Sequence, residues 1–225
     1  MSRTRELLYD NDIRFLAAAR EWSQTDWAQP SLCVQWTNHD VLAHLAMGYR
    51  ASTMQMAIAM ARHSGSFDRA NAALAQRLAR RRSPAELIED FATAMSAPRG
   101  LGRVFPQRFL LGDHVIHELD IRFGLGLKST VGLPQLAAVL DTQVQIPNPF
   151  IPSRAWARGL SLRADDLGWN HGDGPSVTGT APHLASVLAG RPWALRHLSG
   201  DGVEVLRRRL VAPAGPNGQD SLSPS

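Results

Sequence analysis

Apolar residues recur at helical spacing through the first two thirds of the chain. Leu7, Leu8, Ile13, Phe15, Leu16 and Trp22 form one stripe and predict a helix over 4–22. The stretch QTDWAQPSLCVQW, with Pro30 inside it, reads as a loop. Thr37 then precedes Asp40 at the N-cap and N3 positions of a capping-box variant. From there the pattern predicts one helix to about residue 62, rich in alanine and methionine. A shorter helix follows over 67–81. Ser83, Pro84 and Glu86 open the next as N-cap, N1 and N3, and it ends near Ala97-Pro98. Gly100 and Gly102 mark a loop. A helix over 107–124 is closed by Gly124 and Gly126, and 133–145 reads as another.

The texture changes at IPNPFIPS, 146–153, where prolines mark a linker or crossover. Segments 158–165 and 176–180 alternate as strands do, with a turn at 173–176. A capped helix over 180–190 and a last short helix, DGVEVLRRRL, complete the pattern. The elements predict an α+β chain: a helical domain over 1–148, a small α/β domain over 149–211, and a disordered tail over 212–225.

Composition narrows the classes. The 225 residues suit one large or two small domains, and 44% hydrophobic content provides for a core. No apolar run reaches the roughly 18 residues of a membrane helix, and the charged N-terminus lacks a signal-peptide core, so a cytoplasmic location is expected. Cys33 stands alone, which excludes a disulfide framework and a multi-cysteine zinc site and predicts a packed side chain. The net charge of +4 comes largely from RLARRR (77–82) and LRRRL (206–210). These runs read as helix ends rather than a nucleic-acid surface, because cations complement the helix dipole and no aromatic interleaving accompanies them.

The helix at 107–124 carries unusual chemistry. Asp113, His117 and Asp120 fall on one face, while His114 and Glu118 fall on the next stripe, toward its edge. A carboxylate and a histidine one turn apart can converge on a divalent metal when another helix supplies a third ligand. His44, mid-helix among Val41, Leu42, Leu45 and Met47, is the candidate, and Asp120 is placed to orient His117 from behind. From spacing alone, hydrogen-bonded core histidines are the commoner arrangement, and both readings stand. His39 is expected to be exposed, His114 to be packed or on the surface, and Trp36, Trp169 and Trp193 to be core or hinge anchors.

Three blocks carry a resemblance. DWAQPSLCVQWTNHDVLAHLAMG, GDHVIHELDIRFGLG and LGWNHGDGPSVTGTAPHLASVLAGRPWALRHLSGDGV follow one another as in the mycothiol-dependent maleylpyruvate isomerase family. That resemblance covers roughly residues 5–210 and implies a DinB-like four-helix bundle followed by a small α/β domain. It also implies a divalent metal, usually zinc, held by His44, Asp113 and His117, with Asp120 matching the aspartate after the second histidine. Nickel and iron accept the same donors. Two departures stand out: Asp113 replaces the usual glutamate, and Cys33-Val34-Gln35-Trp36 replaces C-P-G-W, which suggests a different loop path.

In the family's named reaction the thiol of mycothiol adds to a cis double bond, rotation follows, and elimination gives the trans isomer. The resemblance therefore implies an isomerase or thiol transferase whose partners are a low-molecular-weight thiol and a small, carboxylated electrophile such as maleylpyruvate. A cation from the C-terminal domain should hold the carboxylate. Arg191 is the candidate catalytic cation, with Arg196 and Arg163 behind it, although a helix-end arginine satisfying carbonyls fits Arg191 equally. A non-catalytic metal- or ligand-binding protein of the same fold is the competing reading. The sequence leaves the substrate and oligomeric state open.

Overall fold

A computed structural model describes residues 2–211, so the expected tail over 212–225 lies outside the described residues. The chain divides into two compact units, Met1–Thr142 and Gln143–Ser225.

In the first unit, α1 (Arg3–Ala19), α3 (Asn38–Gly48), α6 (Pro84–Ser96) and α8 (Gln107–Gly124) form the bundle. α1 packs on α6 and α8, and α3 packs on the same two, which closes the ring of four. Its core holds Phe15, Leu42, Leu45, Leu87, Phe91, Leu111 and Leu119, all nearly sealed from solvent. Burying such side chains supplies about 25 cal/mol per Å² of apolar surface, the main favourable contribution to the bundle. α5 (Phe67–Ala79) packs against α3 from outside and α4 (Thr53–Arg62) packs against α5. α2 (Gln24–Ala28), α7 (Leu101–Val104) and α9 (Leu133–Gln145) complete the helices here.

Local signals account for most helix starts. Thr37 accepts from the Asp40 amide while the Asp40 carboxylate accepts from the Thr37 amide, and Ser83 and Glu86 repeat the device. The expected helix over 38–62 is broken. Tyr49 ends α3, and Ser52 with Gln55 forms a fresh capping box that starts α4. Gly102 explains the break: a Cβ there would sit 2.7 Å from the Tyr49 Cα, so α7 lies against the end of α3. The expected helix over 4–22 also ends early, and Ser23 caps α2 inside the expected loop. The buried face of α1 runs through Asn11 and Asp12, whereas Ile13, expected on the apolar stripe, is exposed.

In the second unit, β1 (Ser161–Ala164) lies between β2 (Trp169–His171), antiparallel to it, and β3 (Ser176–Gly179), parallel to it. Leu162 opposes His171 on one side and Val177 on the other. Periodicity does not predict the strand β2, which is only three residues long beside a glycine turn. Nor does it predict α10 (Ser153–Ala157) or a 3-10 segment over Pro192–His197. α11 (Ala181–Leu188) is buried on nearly every side, and Asp166 accepts from the Ala181 amide at its start, at 2.7 Å. Gly190, at φ +80°, turns the chain out of it. In α12 (Val203–Val211), Arg207 and Arg208 pair with Glu204, and Arg209 donates to the Trp156 and Arg158 carbonyls.

Candidate metal centre

The ring of His44 enters from α3, and its Nε2 meets Asp113 Oδ2 of α8 at 3.1 Å. One turn further along α8, His117 Nε2 lies 3.5 Å from Asp113 Oδ1. One ligand atom from each of the three residues falls within 4.8 Å of the others. The i, i+4 spacing on α8 and the packing of α3 on α8 produce this convergence. A tetrahedral zinc ion with bonds of about 2.0–2.1 Å separates its ligands by about 3.4 Å, close to the distance from each ring to its nearer Asp113 oxygen. Two neutral imidazoles and one carboxylate would leave a divalent ion with residual positive charge, which suits an anionic further ligand. The donor set fits such an ion.

Each of the other ring nitrogens has a polar neighbour. Asn71 of α5 sets its Nδ2 3.3 Å from His44 Nδ1. With a metal on Nε2, Nδ1 carries the proton, and the Asn71 amide would turn to offer its oxygen. His117 Nδ1 lies 3.4 Å from Asp120 Oδ2, and Asp120 is fully buried. Trp36 stacks on His117 with ring centres 5.8 Å apart and planes 14° apart, and it also faces His44 at 5.3 Å. The side chain of Asp113 keeps 36% exposure, against 10% for His44 and 12% for His117, so the site opens to solvent on the carboxylate side.

Electrostatics match this geometry. Burial works to raise the Asp113 carboxyl, but the neighbouring imidazoles, His44 foremost, outweigh it and hold the group well below the usual carboxylate range. Burial lowers His117 despite the Asp120 and Asp113 carboxylates, which favours the neutral, metal-binding form of its ring.

The loop before α3 is compact. Its ends meet in a bridge between Pro30 and Thr37, and the Trp36 amide donates to the Cys33 carbonyl at 3.1 Å. Gln35 takes φ +66° in that turn, in the left-handed region that favours glycine. The Leu32 amide donates to the Asp120 carbonyl at 3.1 Å, which ties the loop to α8.

Behind the site lies a polar layer the sequence did not reveal. His114 is buried, its Nδ1 2.8 Å from Asp12 Oδ1, and the Tyr49 hydroxyl donates to Asp12 Oδ2 at 2.5 Å. Burial, reinforced by the Asp12 charge, drives that hydroxyl well above its ordinary range. Glu118, expected toward a helix edge, is instead fully buried and takes both arms of the Arg14 guanidinium at 2.5 Å. The partners that make this possible come from α1, which periodicity on α8 does not display. His39, expected to be exposed, is partly buried and meets the Arg82 carbonyl at 2.9 Å.

In the C-terminal unit Arg191 donates to the Ala189 carbonyl at 3.1 Å. Arg163 is exposed and pairs with Asp165, while Arg196 donates to His197 Nε2 at 3.1 Å. Trp169 stacks on His171, and Trp193 meets His183 and His197 edge-on.

Residues 10–108 match the profile described as the mycothiol maleylpyruvate isomerase N-terminal domain. Over that stretch the helical unit is similar to the N-terminal domain of that family. The match takes in His44 and the Cys33–Trp36 loop and stops short of Asp113. Two solved structures share the fold across most of the chain. One, a mycothiol-dependent maleylpyruvate isomerase, is 14% identical with a TM-score of 0.52, covering 88% of this chain and 91% of that one. The other, a histidine-to-alanine mutant of such an isomerase, is 13% identical with a TM-score of 0.54 over the same shares. No curated protein matches the chain. Among the described residues, no helix is long and apolar enough to cross a membrane.

Proposed function

We propose that the protein is a metal-dependent enzyme that uses a low-molecular-weight thiol, mycothiol, to isomerise or transfer to a small carboxylated electrophile such as maleylpyruvate. The observation that carries this reading is the convergence of His44, Asp113 and His117 with ligand atoms within 4.8 Å. The family match and the fold shared with solved mycothiol-dependent isomerase structures point the same way. A divalent ion, zinc foremost, would hold a bound thiol as the reactive thiolate at neutral pH.

The chain's own residues have distinct tasks in this reading. His44, Asp113 and His117 hold the ion. Asn71 and Asp120 fix the two rings from behind, so that each Nε2 points inward. Trp36 shields the imidazoles from water on the loop side, leaving approach past Asp113. Arg191 is assigned to the substrate carboxylate, a task its guanidinium would combine with its contact to the Ala189 carbonyl.

The test combines elemental analysis of the purified protein with turnover of maleylpyruvate in the presence and absence of mycothiol. One equivalent of metal, lost in His44→Ala, and thiol-dependent turnover are expected. Arg191→Ala should raise KM more than it lowers kcat. A protein that binds metal but leaves maleylpyruvate and a panel of other electrophiles unchanged would favour the non-catalytic metal-binding reading. A metal-free protein that resists reconstitution would overturn both.

A further inference from the structure

The imidazole of His117 belongs to two donor sets, with Asp113 on its Nε2 side and Asp120 on its Nδ1 side. Its Nε2 serves the His44–Asp113 set. On the other side Cys33, Asp120 and His117 each place a ligand atom within 4.8 Å of the others. His117 Nδ1 is sealed from solvent and makes no hydrogen bond, with Asp120 Oδ2 3.4 Å away. A shielded donor atom without a partner costs about 1–3 kcal/mol, and a ligand that engages it removes that cost.

The loop is built to hold the cysteine there. Cys33 donates its amide to the Ser31 hydroxyl at 3.1 Å, its carbonyl closes the turn with Trp36, and the preceding amide is bound to Asp120 itself. Gly124 lets the loop close on α8, because a Cβ there would come within 3.2 Å of the Pro30 carbonyl. The thiol is thus carried by backbone fixed to the same residue that supplies the carboxylate.

We infer that Cys33, His117 and Asp120 form a second metal-ligand set, selective for a thiophilic divalent ion and competing with the His44 set for the His117 ring. A thiolate and a carboxylate together neutralise a divalent ion, and the neutral imidazole adds no charge, which suits a site walled by the buried Asp120. Binding releases the Cys33 thiol proton and displaces the proton of Nδ1 to Nε2. A neutral imidazole then has no free lone pair on Nε2, so an ion in the second set costs the first set one ligand. The competition rests on the metal-centre reading above, whereas binding at Cys33 does not.

Cadmium is the probe, because its bond to thiolate gives an ultraviolet charge-transfer band that imidazole and carboxylate do not. Full-length metal-free protein is titrated with cadmium in the absence of added thiols. The wild type and the His44→Ala/Asp113→Ala double variant, which lacks the first set, should both develop the band at one equivalent. Cys33→Ser should not. His117→Gln and Asp120→Asn, each checked for native circular dichroism, should weaken the affinity read from the band by at least about tenfold, as loss of a ligand or its support requires. A wild type without the band overturns the inference. So does an unchanged affinity in either ligand variant that folds, since Cys33 would then bind cadmium unaided. If the double variant loses the band while the wild type has it, cadmium reaches Cys33 from the first set and no second set exists.

Discussion

Lengthening Asp113 to glutamate tests whether this bundle has adapted to the shorter acid. The carboxylate oxygens of Asp113 already stand 3.1 and 3.5 Å from the two Nε2 atoms. A zinc ion in tetrahedral coordination asks for about 3.4 Å between ligand atoms, so the carboxylate already stands at about the right reach from each ring. One further methylene advances the carboxylate by about 1.5 Å, the length of a carbon–carbon bond. The longer side chain must fold back to present the same oxygen, and an off-rotamer torsion of that kind costs about 0.5–1.5 kcal/mol. Because about 1.4 kcal/mol corresponds to tenfold in affinity, Asp113→Glu should bind zinc between about twofold and tenfold more weakly than wild type. Competition with a chromophoric chelator at fixed pH reads the difference directly. A variant that instead binds zinc about tenfold more tightly would refute the reasoning. α8 would then stand too far back for aspartate, and the short separations would describe a metal-free contact between histidine and acid.

Other consequences are equally direct. Asn71→Leu keeps the volume near His44 but removes the amide, and zinc affinity should fall by about tenfold with little change in the unfolding midpoint. Tyr49→Phe takes a donor from the buried Asp12 carboxylate and should cost about 1.5–3 kcal/mol in urea denaturation, as for hydrogen bonds to charged groups; a loss below half of that would mean water replaces the hydroxyl. Gln35→Gly relieves a left-handed residue at φ +66° whose strain is about 1–2 kcal/mol, against about 0.5–1 kcal/mol of added chain freedom. A small gain in stability is expected, and a marked loss would show that the Gln35 side chain holds the loop.

What could be seen in the sequence, and what could not, divides by the separation of the interacting residues. Capping boxes act over three residues, so Thr37 with Asp40 and Ser83 with Glu86 place helix starts without knowledge of the fold. The candidate metal face of α8 is equally local, because Asp113 and His117 share a turn. The break between α3 and α4 had its own local sign, Ser52 with Gln55, but the unbroken alanine and methionine pattern masked it. What decides that break is the approach of Gly102 and the anchoring of Tyr49 to Asp12, 37 residues away. The same holds for the partners behind the site. Asn71 is 27 residues from His44, and Asp12 is 102 residues from His114. A lone asparagine among alanines and an acid on an amphipathic first helix carry no motif; only the ring of α1, α8, α3 and α6 turns them into partners. The ionisable groups between Asp113 and Asp120 therefore do two kinds of work. Asp113 and His117 converge with His44, with Asp120 beside His117, while His114 and Glu118 bind α8 to Asp12 and Arg14 of α1. Breaking a buried ion pair by removing one partner costs about 3–5 kcal/mol, so the second group resists rotation of the helix that would scatter the first. The geometry of the candidate metal face thus depends on polar contacts made on a different side of the same helix.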